Sequence, residues 1–151
     1  VWLLVAGGGA SVVYSDTIAN RWGINELANY GEYSGNPSTD ETYEYAKTLF
    51  ELMTQEKDPL NKPKILLIGG AIANFTDVAK TFDGIIQAMK EKQEALRDVQ
   101  TKIYVRRGGP NYKAGLQNIQ KAAIACGLDI CVHGAETHMT DIIRMSHEVY
   151  A

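Results

Sequence analysis

The sequence predicts an α/β fold in which strands and helices alternate and the sheet is parallel. Three observations carry this expectation. Short apolar runs such as Ile65–Ile68 are continuous rather than alternating, as strands buried on both faces are. Longer segments between them carry apolar residues at i, i+3 and i+4, the spacing of amphipathic helices. Glycine-rich loops follow the strands at Gly31–Gly35, Gly69–Thr76 and Arg107–Asn111. Five strands in this order imply a flavodoxin-like, doubly wound sheet, order 2-1-3-4-5, with helices on both faces.

Val1–Val5 is the first strand, and Gly7-Gly8-Gly9 is the tight loop that ends it. A helix over Ser11–Ala19 follows, though its β-branched residues are weak helix formers. Leu27–Tyr30 is expected to be a short second strand. Ser38-Thr39-Asp40-Glu41 has the spacing of a capping box, so a helix starts there and runs to about Glu56. Tyr45, Ala46, Leu49, Phe50 and Met53 form its apolar face, and Asp58, Pro59 and Pro63 break it. Ile65–Ile68 is the third strand, closing on Gly69-Gly70. A long helix is expected to open near Asn74–Thr76 and run to about Val99, with Val78, Ala79, Phe82, Ile85, Ile86 and Met89 in its stripe. Ile103–Val105 is the fourth strand. Pro110 suits the first turn of the next helix, and Gly127 suits its carboxyl cap. Asp129–Val132 is the last strand, and Met139–Val149 carry the stripe of a closing helix.

The length of 151 residues fits one domain. Hydrophobic residues make up 45% and charged residues 22%, ordinary values for a globular protein. A formal charge of −3 argues against nonspecific nucleic-acid binding, but not against a local basic pocket. No apolar run reaches the ~18 residues of a membrane-spanning helix. The opening Val1–Val5 lacks the basic flank of a signal peptide. A buried strand at the first residue suggests a domain boundary there, with residues 1–151 forming one domain. Cys126 and Cys131 lie in apolar context without CxxC spacing and read as buried, reduced thiols, hence a cytoplasmic location.

The glycine loops all fall on the carboxyl edge of the expected sheet. Gly69 and Gly70 let backbone approach a ligand closely. Asn74, Phe75 and Thr76 would then lie at a helix amino terminus, where free N–H groups and the helix dipole attract an anion. Simple helix capping by Asn74 or Thr76 explains the same residues. Arg106 and Arg107 follow the fourth strand directly. A guanidinium fork matches a carboxylate in two hydrogen bonds. Successive strand residues point to opposite faces, so one of the two is expected to reach the second loop. The glycine loops lack the Lys-Ser/Thr of a P-loop, GxGxxG is absent, and no Gly-x-Ser-x-Gly elbow occurs. His133 and His138 have no evident third ligand, so no metal site is expected, and His138 is placed to cap the last helix.

Four strings resemble the ATP-citrate lyase family: Ala6–Thr17, Glu26–Gly35, Ile72–Thr76 and Val105–Tyr112, with the match continuing from Gly134 to Thr140. The resemblance covers essentially the whole chain. It implies a fold related to the carboxyl-terminal domain of the succinyl-CoA synthetase β chain. It implies that citrate is held by Gly35, by Asn74, Phe75 and Thr76, and by Arg107, with Ser34, Gly70, Ala71 and Arg106 as secondary candidates. Ala71 replaces a serine found in some members, so any hydroxyl contact there is lost. The family reaction turns citrate, CoA and ATP into acetyl-CoA, oxaloacetate, ADP and phosphate. This chain resembles none of the parts that bind ATP, carry the phosphohistidine or cleave citryl-CoA. The resemblance therefore implies substrate positioning without catalysis by this domain alone. ATP, Mg and CoA would be used elsewhere in the parent enzyme, itself oligomeric, with its other domains or subunits as partners. A ligase domain holding another carboxylate, such as succinate, and a noncatalytic docking domain are the alternatives.

Overall fold

The structure, a computed structural model, describes residues 1–33 and 36–151. Its elements are β1 (Trp2–Ala6), α1 (Gly8–Arg21), β2 (Glu32–Tyr33), α2 (Thr39–Met53), β3 (Ile65–Gly70), α3 (Val78–Glu91), α4 (Gln93–Asp98), β4 (Lys102–Arg106), α5 (Tyr112–Ala125), β5 (Asp129–His133) and α6 (Asp141–Tyr150). The five strands form one sheet in the order β2-β1-β3-β4-β5, and every pair is parallel. The doubly wound topology read from the sequence is the one observed.

Alternation along the central strands divides the core between the two faces. Leu4, Leu66, Ile68, Ile103 and Val105 face α2, α3 and α5, where Phe50, Phe82, Met89 and Ile119 fill the space. Leu3, Val5, Leu67 and Tyr104 face α1 and α6, where Tyr14, Ile18, Ile142 and Ile143 cover them. All six residues of β3 are buried, which explains its unbroken apolar run.

The capping box is formed with both of its arms: Glu41 N–H donates to Ser38 Oγ at 3.1 Å, and Ser38 N–H donates to Glu41 Oε1 at 3.2 Å. Gly127, with φ 72, follows the end of α5 in the left-handed conformation expected of a carboxyl cap.

Several boundaries differ from expectation. Leu27–Tyr30 is not a strand, and β2 is the later pair Glu32–Tyr33. Ala28 N–H donates to the Val1 carbonyl at 2.9 Å, and beyond it the side chain of Asn29 takes the place of a backbone ladder. It accepts from Leu3 N–H at 2.8 Å and donates to the Leu3 carbonyl at 3.0 Å. Helix α1 begins at Gly8, so two of the three glycines lie inside it and only Gly7, with φ 96, makes the turn. Helix α2 ends at Met53, short of Glu56. The long third helix is two helices, because Lys92 leaves helical geometry at φ −107 and ψ 12. Helix α5 starts at Tyr112 after Asn111 in the left-handed conformation, so Pro110 lies before the helix.

Cys126 is buried, but Cys131 is exposed. Cys131 pairs with Tyr104 across β4 and β5 and so lies on the α1–α6 side of the sheet. Helix α6 packs over β3 and β4, which leaves this face of the edge strand β5 open.

Candidate functional site

The carboxyl ends of four strands meet at a cavity of about 200 Å³. Ala6 and Gly7 end β1, Tyr33 ends β2, Ala71–Thr76 form the loop after β3, and Arg107 follows β4. From β1 the sheet extends outward to β2 on one side and to β3 on the other. That reversal is the switch point, the crevice in which open parallel sheets bind ligands.

Backbone pairing fixes the two long loops against each other. Ala73 N–H donates to the Gly108 carbonyl at 3.0 Å, beside a parallel bridge between Ile72 and Gly108. Val78 N–H donates to the Pro110 carbonyl at 3.0 Å. Asn111 Nδ2 donates to Asp77 Oδ2 at 3.1 Å. Gly109 makes this contact possible: its φ is 130, and a Cβ there would lie 2.7 Å from the Ala73 Cβ.

Asn74, Phe75 and Thr76 line the cavity but do not start the helix. The cap of α3 is Asp77, whose carboxylate accepts from Lys80 N–H at 3.1 Å. A carboxylate of the protein therefore already sits at the α3 terminus, and the expected dipole site there is corrected to a loop site. Thr76 is buried, whereas the Phe75 ring is 70% exposed at the mouth of the cavity. Ala71 also lines the cavity, and Gly70 ends β3 next to it. Ser34 and Gly35 lie outside the described residues.

The two arginines are both buried, at 5% exposure for Arg106 and 4% for Arg107. Both reach the end of β3, where only one was expected. Arg106 donates through Nη1 to the Gly70 carbonyl at 3.0 Å, through Nε to Thr137 at 2.7 Å and through Nη2 to Ala135 at 3.3 Å. It thereby ties β3 to the segment before α6. Arg107 lines the cavity and donates through Nη1 to the Ala71 carbonyl. Its Nε is buried without a hydrogen-bond partner, and no carboxylate among the described residues pairs with it. Burial pulls the Arg107 guanidinium below its ordinary pKa, with Arg106 adding to the effect and Tyr33 and Tyr14 opposing it. Guanidinium remains charged regardless, so the cavity holds an unpaired cation that an anion would neutralise.

Sequence reasoning did not single out Tyr33. Its hydroxyl is buried, has no partner and belongs to the same cavity. Burial pushes its pKa up to about 12 against the opposing influence of Arg107. Its place one residue before Ser34-Gly35, at the end of a strand, was the available signal.

No histidine is among the residues that line this cavity, although the His133 carbonyl accepts from Arg107 N–H at 3.1 Å. His138 Nδ1 accepts from Thr140 N–H at 3.2 Å, in the turn that leads into α6. Among the described residues no group of three His, Cys, Asp or Glu could hold a metal. A larger cavity of about 720 Å³ flanks α2, lined by Tyr30, Tyr45, Leu52, Asp40, Glu41 and Glu44 among others. It has carboxylates and no Lys or Arg, so it is unsuited to an anion.

Comparison with known proteins shows the family to which the chain belongs. A family model described as ATP citrate lyase citrate-binding matches residues 1–149. ATP-citrate synthase of Mus musculus is 57% identical over 146 residues, covering 97% of this chain and 13% of the relative. An ATP-citrate synthase alpha chain protein 1 of Arabidopsis thaliana is 48% identical over 144 residues, covering 95% of this chain and 34% of the relative. A solved structure of ATP citrate lyase from Methanothrix soehngenii in complex with citrate and coenzyme A superposes with a TM-score of 0.93 at 55% identity. It covers 97% of this chain and 38% of that one. The chain thus spans 13% of the length of the mammalian relative and about a third of the plant one.

Proposed function

The chain belongs to the ATP citrate lyase citrate-binding family, and from that premise we propose that its cavity holds citrate for an ATP-dependent lyase. The observation that carries the proposal is Arg107, a buried guanidinium lining a cavity and paired with no carboxylate among the described residues. Keeping such a cation unpaired costs stability, and a carboxylate ligand removes the cost. Asn74, Phe75 and Thr76 frame the same cavity and supply amide, hydroxyl and backbone donors. Gly35 is part of the proposed citrate set, with Ser34, Gly70, Ala71 and Arg106 as supporting positions.

On this reading the domain positions citrate, and no residue of it performs catalysis. The parent enzyme converts citrate and CoA to acetyl-CoA and oxaloacetate with ATP. ATP, Mg and CoA are held outside this chain, which acts as one domain of a larger, oligomeric and cytoplasmic enzyme. No helix among the described residues is long and apolar enough to cross a membrane.

Calorimetric titration of the full-length protein with citrate and with succinate tests the assignment. Citrate is expected to bind and succinate to bind much more weakly. Equal affinity would favour the alternative of a ligase domain for another carboxylate. Absence of binding for both would favour a docking role.

A further inference from the structure

Six side-chain atoms among the described residues are buried without a hydrogen-bond partner, on Ser15, Trp22, Tyr33, Thr101, Arg107 and His133. Only Tyr33 and Arg107 line the cavity at the switch point. An isolated orphan of this kind says little. Two in one small cavity say more, because each leaves a donor with nothing to donate to.

The two atoms belong together electrostatically. The Arg107 guanidinium lowers, and burial raises, the pKa of the Tyr33 hydroxyl. A phenol is protonated at neutral pH even at its ordinary pKa, and burial only reinforces this, so the hydroxyl offers a hydrogen. Arg107 Nη1 is already engaged with the Ala71 carbonyl, which leaves the Nε side of the fork free. Tyr45 meets the Tyr33 ring edge-on at a centroid distance of 5.9 Å and helps hold it. Phenylalanine would fill the same space without burying an unpaired hydroxyl, an arrangement that costs stability. A hydroxyl kept at such a cost is accounted for by a ligand that supplies its acceptor.

We infer that Tyr33 is a ligand-binding residue whose hydroxyl donates a hydrogen bond to a carboxylate of the bound anion, beside the free Nε of Arg107. The inference rests on the citrate reading and extends it to a residue at the end of β2. Arg107 draws a carboxylate to this side of the cavity, so the tyrosine contact is to that group and not to the alcohol of citrate.

The test is Tyr33→Phe in the full-length protein, with Arg107→Ala as the reference variant. Calorimetric titration should show citrate affinity falling about ten- to two-hundredfold. Thermal unfolding without ligand should give a melting temperature equal to or above wild type, because an unsatisfied hydroxyl is removed. Tricarballylate, which keeps the three carboxylates of citrate and lacks its alcohol, should lose the same factor. Wild-type citrate affinity in Tyr33→Phe, with the Arg107→Ala loss intact, overturns the role of Tyr33 and leaves the citrate reading standing. A lower ligand-free melting temperature identifies a structural hydroxyl and overturns it as well. A loss confined to citrate moves the contact to the alcohol and contradicts the carboxylate assignment. If the wild-type protein does not bind citrate, both readings fall.

Discussion

Arg106 and Arg107 are neighbours in sequence with opposite duties. Arg106 satisfies three backbone carbonyls, on Gly70, Ala135 and Thr137. Arg106→Ala would leave these acceptors without their donor, a loss of about 2–4 kcal/mol, and urea denaturation should show it as a lower midpoint. Arg107→Ala removes an unpaired buried cation together with one bond to Ala71. These effects oppose each other, so its midpoint is expected to stay within about 1 kcal/mol of wild type. A large stability loss from Arg107→Ala, or none from Arg106→Ala, would reverse the division of labour. Both arginines were legible as site candidates from their place at the end of a strand. Strand alternation alone did not say which one faces the cavity, because that depends on the register of β4 against β3 and on where the β3 loop turns; the family resemblance pointed to Arg107, which lines it. The hydroxyl of Tyr33 was hidden for a related reason: its lack of a partner is a fact of packing, not of sequence.

At the scale of elements, the site is made by two loops locked together. Gly109→Ala would force a side chain onto Ala73 at a φ of 130. The strain is about 1–3 kcal/mol, and the relief is separation of the two loops. Citrate affinity should therefore fall along with the unfolding midpoint. Retained affinity would mean that the loops need no mutual contact to bind. Asn29→Ala is the contrasting case. It breaks both side-chain bonds to Leu3 and should cost about 1–3 kcal/mol of stability. Its citrate affinity, measured by titration, should be unchanged, because Asn29 is not among the residues that line the cavity. The helices were legible where periodicity and caps agree, as at Ser38 and Glu41. Leu27–Tyr30 was misread because an apolar segment lying against a strand looks like a strand even when it pairs through one backbone bond, from Ala28 N–H to the Val1 carbonyl, and one carboxamide. The start of α3 was misread because Asn74 and Thr76 are as good caps by type as Asp77, and only the bond from Lys80 N–H decides between them.

At the scale of the whole molecule, the order of strands was legible because crossover rules leave few arrangements for alternating strands and helices. That order in turn brings the ends of β1, β2, β3 and β4 to one cavity. The openness of the β5 face was not legible: the closing helix could be read from its stripe, but not which strands it covers. The central claim is that a buried, unpaired arginine at the switch point captures citrate. Titration of the full-length protein with citrate, comparing wild type with Arg107→Ala, tests it most directly. The account predicts a loss of about 1.5–3 kcal/mol in the variant, roughly ten- to two-hundredfold in affinity, with the fold intact. Undiminished citrate binding by a folded Arg107→Ala protein would contradict it.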